Sequence, residues 1–286
     1  MSISNSTTLN DLVGQIVSSE AQSAAYASRV MRPLVRSVQV PQGAGSIVIP
    51  RFQALSPASL TEGVAPSSTA WSTDGVTLTP AERGVYVQIS KRALWADPFS
   101  DLAPYGEQIG RALANDEDEL ILANASGITT STVASGTFEA DAKASFLSAI
   151  AQLEEQNAPG PYYGVFHPQA WADLRSDLGE ADTYAAPGTQ IVEGFGEGYT
   201  NLNGYVGSPF GVPCFISSKV QTNAGGTEAY NLVFSKEAIG YAYMQDISVD
   251  VDDNVTARAF DLMGWYGGAT SELVDAYAVK VSSQVS

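Results

Sequence analysis

A chain of 286 residues that is 44% apolar carries enough hydrophobic mass for one sizeable core or two modest ones, which excludes a disordered chain. Charged residues make up only 16%, against roughly 25% in ordinary soluble proteins, so either a neutral Ser/Thr/Asn surface or cover by neighbouring copies must keep the rest in order. The net charge is −17, and the single cysteine, Cys214, excludes an internal disulfide.

The charge is unevenly placed. Residues 21–92 hold seven bases, Arg29, Arg32, Arg36, Arg51, Arg83, Lys91 and Arg92, against Glu62, Asp74 and Glu82, whereas the chain beyond holds seven bases against 26 acids. A basic N-terminal third on an acidic body can dock on the acidic body of a neighbour or face nucleic acid, although solvated surface charge is the plainer account of any one residue. Met1 to Asn10 has neither a basic start nor an apolar stretch, so no secretory signal is expected. No run of 18 apolar residues occurs, so no transmembrane helix is expected, and assembly in a cytoplasm is the default.

In chain order, Leu9, Leu12, Val13, Ile16 and Val17 followed by the alanines of 21–27 predict a helix over 8–31, ended by Pro33. Short β-like runs follow, Ile47-Val48-Ile49, then Val76 and Leu78, then Val85, Val87 and Ile89, with a turn-prone Pro80 to Gly84 before the last. They predict an extended β-hairpin region with little apolar mass of its own, which needs another surface to lie on. After Pro98 a long helix is expected from Asp101, its N-cap, to about Ala125, with Gly127 as its stop. At 1.5 Å per residue such a rod spans about 36 Å, longer than a compact domain needs. Asp116-Glu117-Asp118-Glu119 lie within it; four consecutive acids point around most of a turn and cannot converge on a metal, so a solvated or partner-facing surface is expected.

From residue 128 the texture is α+β. A helix is expected over Ser145–Gln156, a strand over Tyr162–Phe166, and a helix over Pro168–Leu178 with proline in its first turn. Gly179–Gly211 is glycine-rich and irregular, and loops this long are functional or flexible. Strands are expected at Gly211–Ile216, Tyr230–Phe234, Ile239–Met244, Ile247–Val251, Val255–Tyr266 and Ala276–Val281.

The chain is poor in catalytic constellations. His167 is the only histidine, so no His-rich zinc site can form; ahead of Pro168 it is expected to close a turn rather than act as a base. No Gly-x-Ser-x-Gly elbow or phosphate-binding loop is present, and Gly194, Gly196 and Gly198 have the wrong spacing for a dinucleotide fingerprint. Asp250, Asp252 and Asp253 lack the glycine and distal glutamate of a calcium loop. Cys214 sits in an apolar run and is expected to be a small buried hydrophobe. No catalytic, metal or cofactor site is expected.

Taken in order, helical arm, β excursion, long helix, α+β domain and closing strands resemble the Hong Kong 97-type capsid fold of tailed-bacteriophage major capsid proteins. The run Ala112-Leu113-Ala114-Asn115-Asp116-Glu117-Asp118-Glu119, continuing to Gly127, resembles the family's spine helix and its exit. Tyr163-Gly164-Val165-Phe166-His167-Pro168, continuing to Arg175, resembles its strand–Pro–helix step, and Gly211-Val212-Pro213-Cys214-Phe215-Ile216 and Ala238-Ile239-Gly240-Tyr241-Ala242 its later strands.

The resemblance implies an N-arm at 1–37, an extended loop at 38–92, a peripheral domain at 93–126 and 245–272, and an axial domain at 127–244 and 273–286. It implies a homo-oligomeric shell of pentamers and hexamers around double-stranded DNA without sequence-specific contacts, a portal, and separate or absent scaffolding and decoration proteins. Contacts between copies are expected from Arg29, Arg32, Arg36, Arg51, Arg83, Lys91 and Arg92 on one side and Asp116, Glu117, Asp118 and Glu119 on the other, with an acidic neighbour favoured over DNA for the arm arginines. Residues 38–90 contain no lysine, so a covalent chainmail through that loop is not expected. An encapsulin-like nanocompartment and a β-rich surface binding module are the competing expectations.

Overall fold

The computed structural model describes residues 6–52, 73–96, 102–133, 141–182 and 202–285, together with residues 59, 63 and 138. Helix α1 (Ser6–Ser28) leads into β1 (Arg36–Gln39), β2 (Ile47–Phe52), β3 (Thr73–Leu78), β4 (Ala81–Ser90), α2 (Lys91–Ala96) and α3 (Ala103–Leu122), which a 3-10 turn extends to Ser126. Then come β5 (Ser131–Val133), α4 (Ala142–Glu155), β6 (Tyr162–Phe166), α5 (Pro168–Asp182), β7 (Tyr205–Gly207), β8 (Cys214–Ile216), β9 (Glu228–Ser235), β10 (Ile239–Asn254), β11 (Ala259–Glu272) and β12 (Ala278–Gln284). Among the described residues these form three sheets: β1-β10-β11-β4, β5-β12-β9-β6-β8-β7, and the β2-β3 pair.

The six-stranded sheet is covered on both faces, which alternation explains. In β9, Leu232 and Phe234 turn to one face and Val233 to the other. One side receives α4 and α5 through Phe146, Ala149, Leu153, Ala170 and Leu174. The other receives the chain leaving α1, Val30, Met31, Leu34 and Val35, and the end of α3, Ile121 and Leu122. Asp141 caps α4 by accepting the Ala144 N–H at 2.8 Å, and His167 Nδ1 accepts the Gln169 N–H at 3.3 Å, so the imidazole closes the turn into α5 as expected. Burial lowers the imidazole's proton affinity. Cys214 is fully buried, and burial pushes its thiol well up.

In the four-stranded sheet, β10 and β11 form a long antiparallel ribbon joined by β4 over ten residue pairs and by β1 in parallel. Ile247, Val249, Leu262 and Tyr266 bury one face against Ile109 and Leu113 of α3 and Val17 and Ala21 of α1. Helices α1 and α3 cross closely because α3 presents Gly106 and Gly110 to Val17 and Ala21. A Cβ on Gly110 would stand 2.1 Å from the Ala21 carbonyl oxygen, so no side chain fits there without moving the helix.

Several expectations need correction. The β3 and β4 runs do not pair with each other: β3 pairs with β2, Leu78 facing Ile47, while β4 starts at Ala81, inside the expected turn, and joins β11. The hairpin also finds part of its surface at home, since Ile49 and Leu78 pack against Val40, Ala242 and Leu273 of their own chain and Arg51 donates to the Leu273 carbonyl at 2.8 Å. Helix α3 starts after Leu102, with Pro104 in its first turn and no side-chain cap; the expected cap, Asp101, lies outside the described residues. Helix α1 stops at Ser28, before Pro33, and helix α5 runs on to Asp182. The expected strands 239–244 and 247–251 are one bulged strand, β10, and the next begins at Ala259 because 255–258 turn between them. Gly194, Gly196 and Gly198 lie outside the described residues.

Candidate assembly site: the junction of arm, long helix and sheet

The acidic run of α3 is sorted by the helix's own periodicity. Leu113, Ala114, Ile121 and Leu122 form its buried stripe, and Glu117 and Asp118, four residues from each pair, fall inside that stripe. They are 1% and 2% exposed, so the expectation of a solvated or neighbour-facing surface is wrong for these two; Glu119 is exposed and Asp116 half-buried.

A buried carboxylate must be paired or hydrogen-bonded, and the arm supplies both. Asp118 accepts the Val30 and Met31 N–H groups, each at 2.9 Å, tying off the backbone just after α1 ends. Burial raises the Asp118 carboxyl to about 7 against the pull of those two N–H donors. Glu117 faces Arg29 Nε and Arg32 Nη1, both at 3.6 Å. The two guanidiniums converge on Asp246 Oδ1 as well, at 3.1 and 2.8 Å. Asp246 sits where β10 slips register against β11 between Gln245 and Ser248, and the bulge aims it at the arm. Its carboxyl lies below the usual carboxylate range: burial works the other way, and Arg32 and then Arg29 overcome it. Arg32 holds its proton more tightly than usual, since Glu117 and Asp246 outweigh burial. It also lies 4.1 Å over the Tyr243 ring, and Arg29 4.6 Å over the Tyr26 ring.

The remaining predicted contact residues are placed singly. Arg36 pairs with Glu237 at 2.8 Å, Arg51 with Asp74, Arg83 with Asp116 at 2.9 Å, and Lys91 with Asp253 at 2.6 Å. Asp116 also accepts the Tyr266 hydroxyl at 2.6 Å, and burial followed by that bond raises the phenol's pKa. Thus Arg29 and Arg32, expected to reach a neighbour's acidic helix, face Glu117 on the acidic helix of their own chain, while Arg36 pairs with Glu237 outside that helix. Arg92 and Glu119 are exposed and join no salt bridge among the described residues. Sequence reasoning missed Asp246, whose signal was the polar break Gln245-Asp246 between two apolar runs, and the Gly106/Gly110 spacing opposite Val17 and Ala21.

A cleft of about 550 Å³ between α1, α3 and residues 203–219 is walled by Glu20, Glu107, Arg111, Asn115 and Lys219, a polar lining without a convergent catalytic set. No group of three or more metal-ligating side chains is found among the described residues. No helix among them is long and apolar enough to cross a membrane.

A long helix backed by a β ribbon, with a second α+β unit held to it through the arm, defines a shell-forming capsid fold of the Hong Kong 97 type. The same architecture recurs in the capsid of Cyanophage P-SCSP1u (17% identity, 88% of this chain and 87% of that one, TM-score 0.63) and in Mycobacterium phage Ogopogo (12%, 90% and 92%, 0.67). It recurs also in the virus-like particle from Pyrococcus furiosus (10%, 93% and 98%, 0.64). No curated protein sequence matches the chain. The chain belongs to the phage capsid protein family, whose family model matches residues 61–281, and its role is that of the major capsid subunit of the virion shell. The β-rich binding module is set aside by this fold, and the nanocompartment reading gains nothing over the phage one, since the virus-like particle's TM-score of 0.64 falls between those of the two phage proteins, 0.63 and 0.67.

Proposed function

We propose that the chain assembles in the host cytoplasm as pentamers and hexamers into an icosahedral shell that encloses double-stranded DNA without sequence-specific contacts and catalyses nothing. The observation that carries this is a fold shared with a phage capsid over about nine-tenths of both chains. In this reading the arm is 1–37, the extended loop 38–92, the peripheral domain 93–126 with 245–272, and the axial domain the remainder. Strand β1, at the junction of arm and loop, and β4, in the loop, both join the sheet behind α3, which supports treating arm and loop as anchored to the peripheral domain. Many modest interfaces then add through multivalency, and closed symmetry sets the size. A portal completes the particle, with separate scaffolding and decoration proteins or without them. Cryo-microscopy of the protein expressed alone and of purified virions tests this: closed shells in both, DNA-filled with one distinct vertex in the virion, are expected. A discrete protein that elutes near 30 kDa at every concentration and never forms capsomers or shells refutes it.

A further inference from the structure

One face of the four-stranded sheet packs on α3 and α1; the other carries a mixed aromatic and acidic patch. Register places Asp250, Met263 and Tyr86 in one cross-strand row and Asp252, Asp261 and Gln88 in the next. Tyr86 and Met263 are 58% and 42% exposed, and Trp265, in the adjoining row, donates to Asp250 at 3.2 Å. No salt bridge reaches Asp250, Asp252 or Asp261 among the described residues.

The end of the same sheet has the opposite character. The β10–β11 turn and α2 meet there, Lys91 N–H donating to the Arg258 carbonyl at 2.9 Å. Trp95 is 85% exposed and Val255 77%, the two most exposed large apolar side chains among the described residues. Arg92 and Arg258 are exposed beside them and have no acid in salt-bridge reach among those residues, whereas Lys91 is neutralised by Asp253. Arg258 also holds φ at 49°, where glycine would sit without strain. A bulky cation kept at a position that favours glycine points to a use for its side chain.

We infer that this tip seats on the sheet face of a second copy of the chain, with Arg92 and Arg258 against Asp250, Asp252 and Asp261, and Trp95 and Val255 against Tyr86 and Met263. The two surfaces are complementary in charge and alike in aromatic content, and Trp, Tyr and Arg are the side chains that anchor interfaces. Tip-on-face contact is heterologous, and copies that repeat it form a ring where the rotation between them closes. The inference rests on the shell reading above.

The test compares shell yield, by sedimentation and negative-stain imaging of the full chain, for four proteins. Wild type forms shells. The double variant R92E/R258E is expected to lose at least tenfold in yield while keeping its unfolding midpoint as an unassembled subunit. The quadruple variant R92E/R258E/D250K/D252K, which swaps both partners, is expected to regain shells. R258G, which relieves the backbone, is expected to melt no lower than wild type and still assemble poorly. If wild type makes no particle, the shell reading itself fails. Wild-type yields from R92E/R258E or R258G, with or without loss of DNA retention in virions, overturn the tip contact alone. So does a quadruple variant that folds but stays unassembled. Should the charge reversals misfold, R258G decides by itself.

Discussion

Gly110→Ala puts a better helix former into the middle of α3, and intrinsic propensity alone favours it by about 1 kcal/mol. The crossing with α1 opposes this. The new methyl would lie 2.1 Å from the Ala21 carbonyl oxygen, and the adjoining Ala21 carbonyl carbon at 2.8 Å leaves no direction of escape. Ordinary carbon–oxygen contact needs about 3.3 Å, so α1 must back away by about 1 Å, which forfeits a quarter to a half of the dispersion contact along the seam. That seam includes Val17, Ala21 and Ala25, each 1% exposed or less. Overpacking of this kind costs about 1–3 kcal/mol, and a contact with backbone rather than a side-chain tip belongs at the upper end. The net loss is about 1–2 kcal/mol, or a fall in Tm of about 2–8 °C for a domain of this size. Differential scanning calorimetry of the unassembled subunit measures it, and limited proteolysis should cut between α1 and β1 sooner. A Tm equal to or above wild type would refute the close crossing. Gly264→Ala tests the sheet side of the same helix, because its methyl would stand 2.2 Å from Ile109 Cγ2, a β-branched side chain with little freedom on a helix.

Two further substitutions probe the arm's electrostatics. Glu117→Gln leaves Arg29 and Arg32 sharing Asp246 alone; loss of one partner from a buried ionic cluster should cost about 3 kcal/mol, the low end of the usual range because Asp246 remains, read as the urea midpoint of the unassembled subunit. For Asp118 the sign follows from its raised carboxyl, about 7 when folded, against about 3.9 unfolded. Between those values the folded chain holds a proton that the unfolded chain has lost, so this contribution is full below about pH 4 and disappears as pH rises through 7. The stability gap between wild type and Asp118→Asn should therefore narrow from about pH 5 to pH 8, by at most about 1.4 kcal/mol per unit; a gap that widens contradicts the burial argument.

Most of the element order was legible because each segment announces its own period and stops. Tyr162–Phe166 is a strand over the residues expected, and Pro168 opens its helix. Pairing was not legible: alternation in 76–78 and 85–89 marks two strands, but nothing local says that β3 returns to β2 while β4 crosses to β11. The acidic run misled for a different reason. Four acids in a row read as surface, yet the apolar stripe through Leu113, Ala114, Ile121 and Leu122 leaves two of those positions no other place to go. Periodicity outranked charge there, since the arm could bring its own cations. Asp246 was marked only by a polar interruption, whose meaning as a bulge depends on register with a strand read later in the chain.

The placement of charge separates holding the subunit together from joining it to others. Arg29, Arg32, Arg36, Arg51, Arg83 and Lys91 are spent on acids of their own protomer, so the basic third of the chain is largely internal fastening. What a neighbouring subunit meets is a body whose net charge is −17. At physiological ionic strength the Debye length is about 8 Å, so repulsion between such bodies is damped until the surfaces nearly touch. Local complementarity then decides which surfaces join. In the proposed DNA-filled shell, a wall of this net charge would contain duplex DNA without gripping its phosphates. The arm cluster and the exposed tip therefore answer different needs: the first fixes the shape of each copy, and the second, through Arg92 and Arg258, is free to find the next.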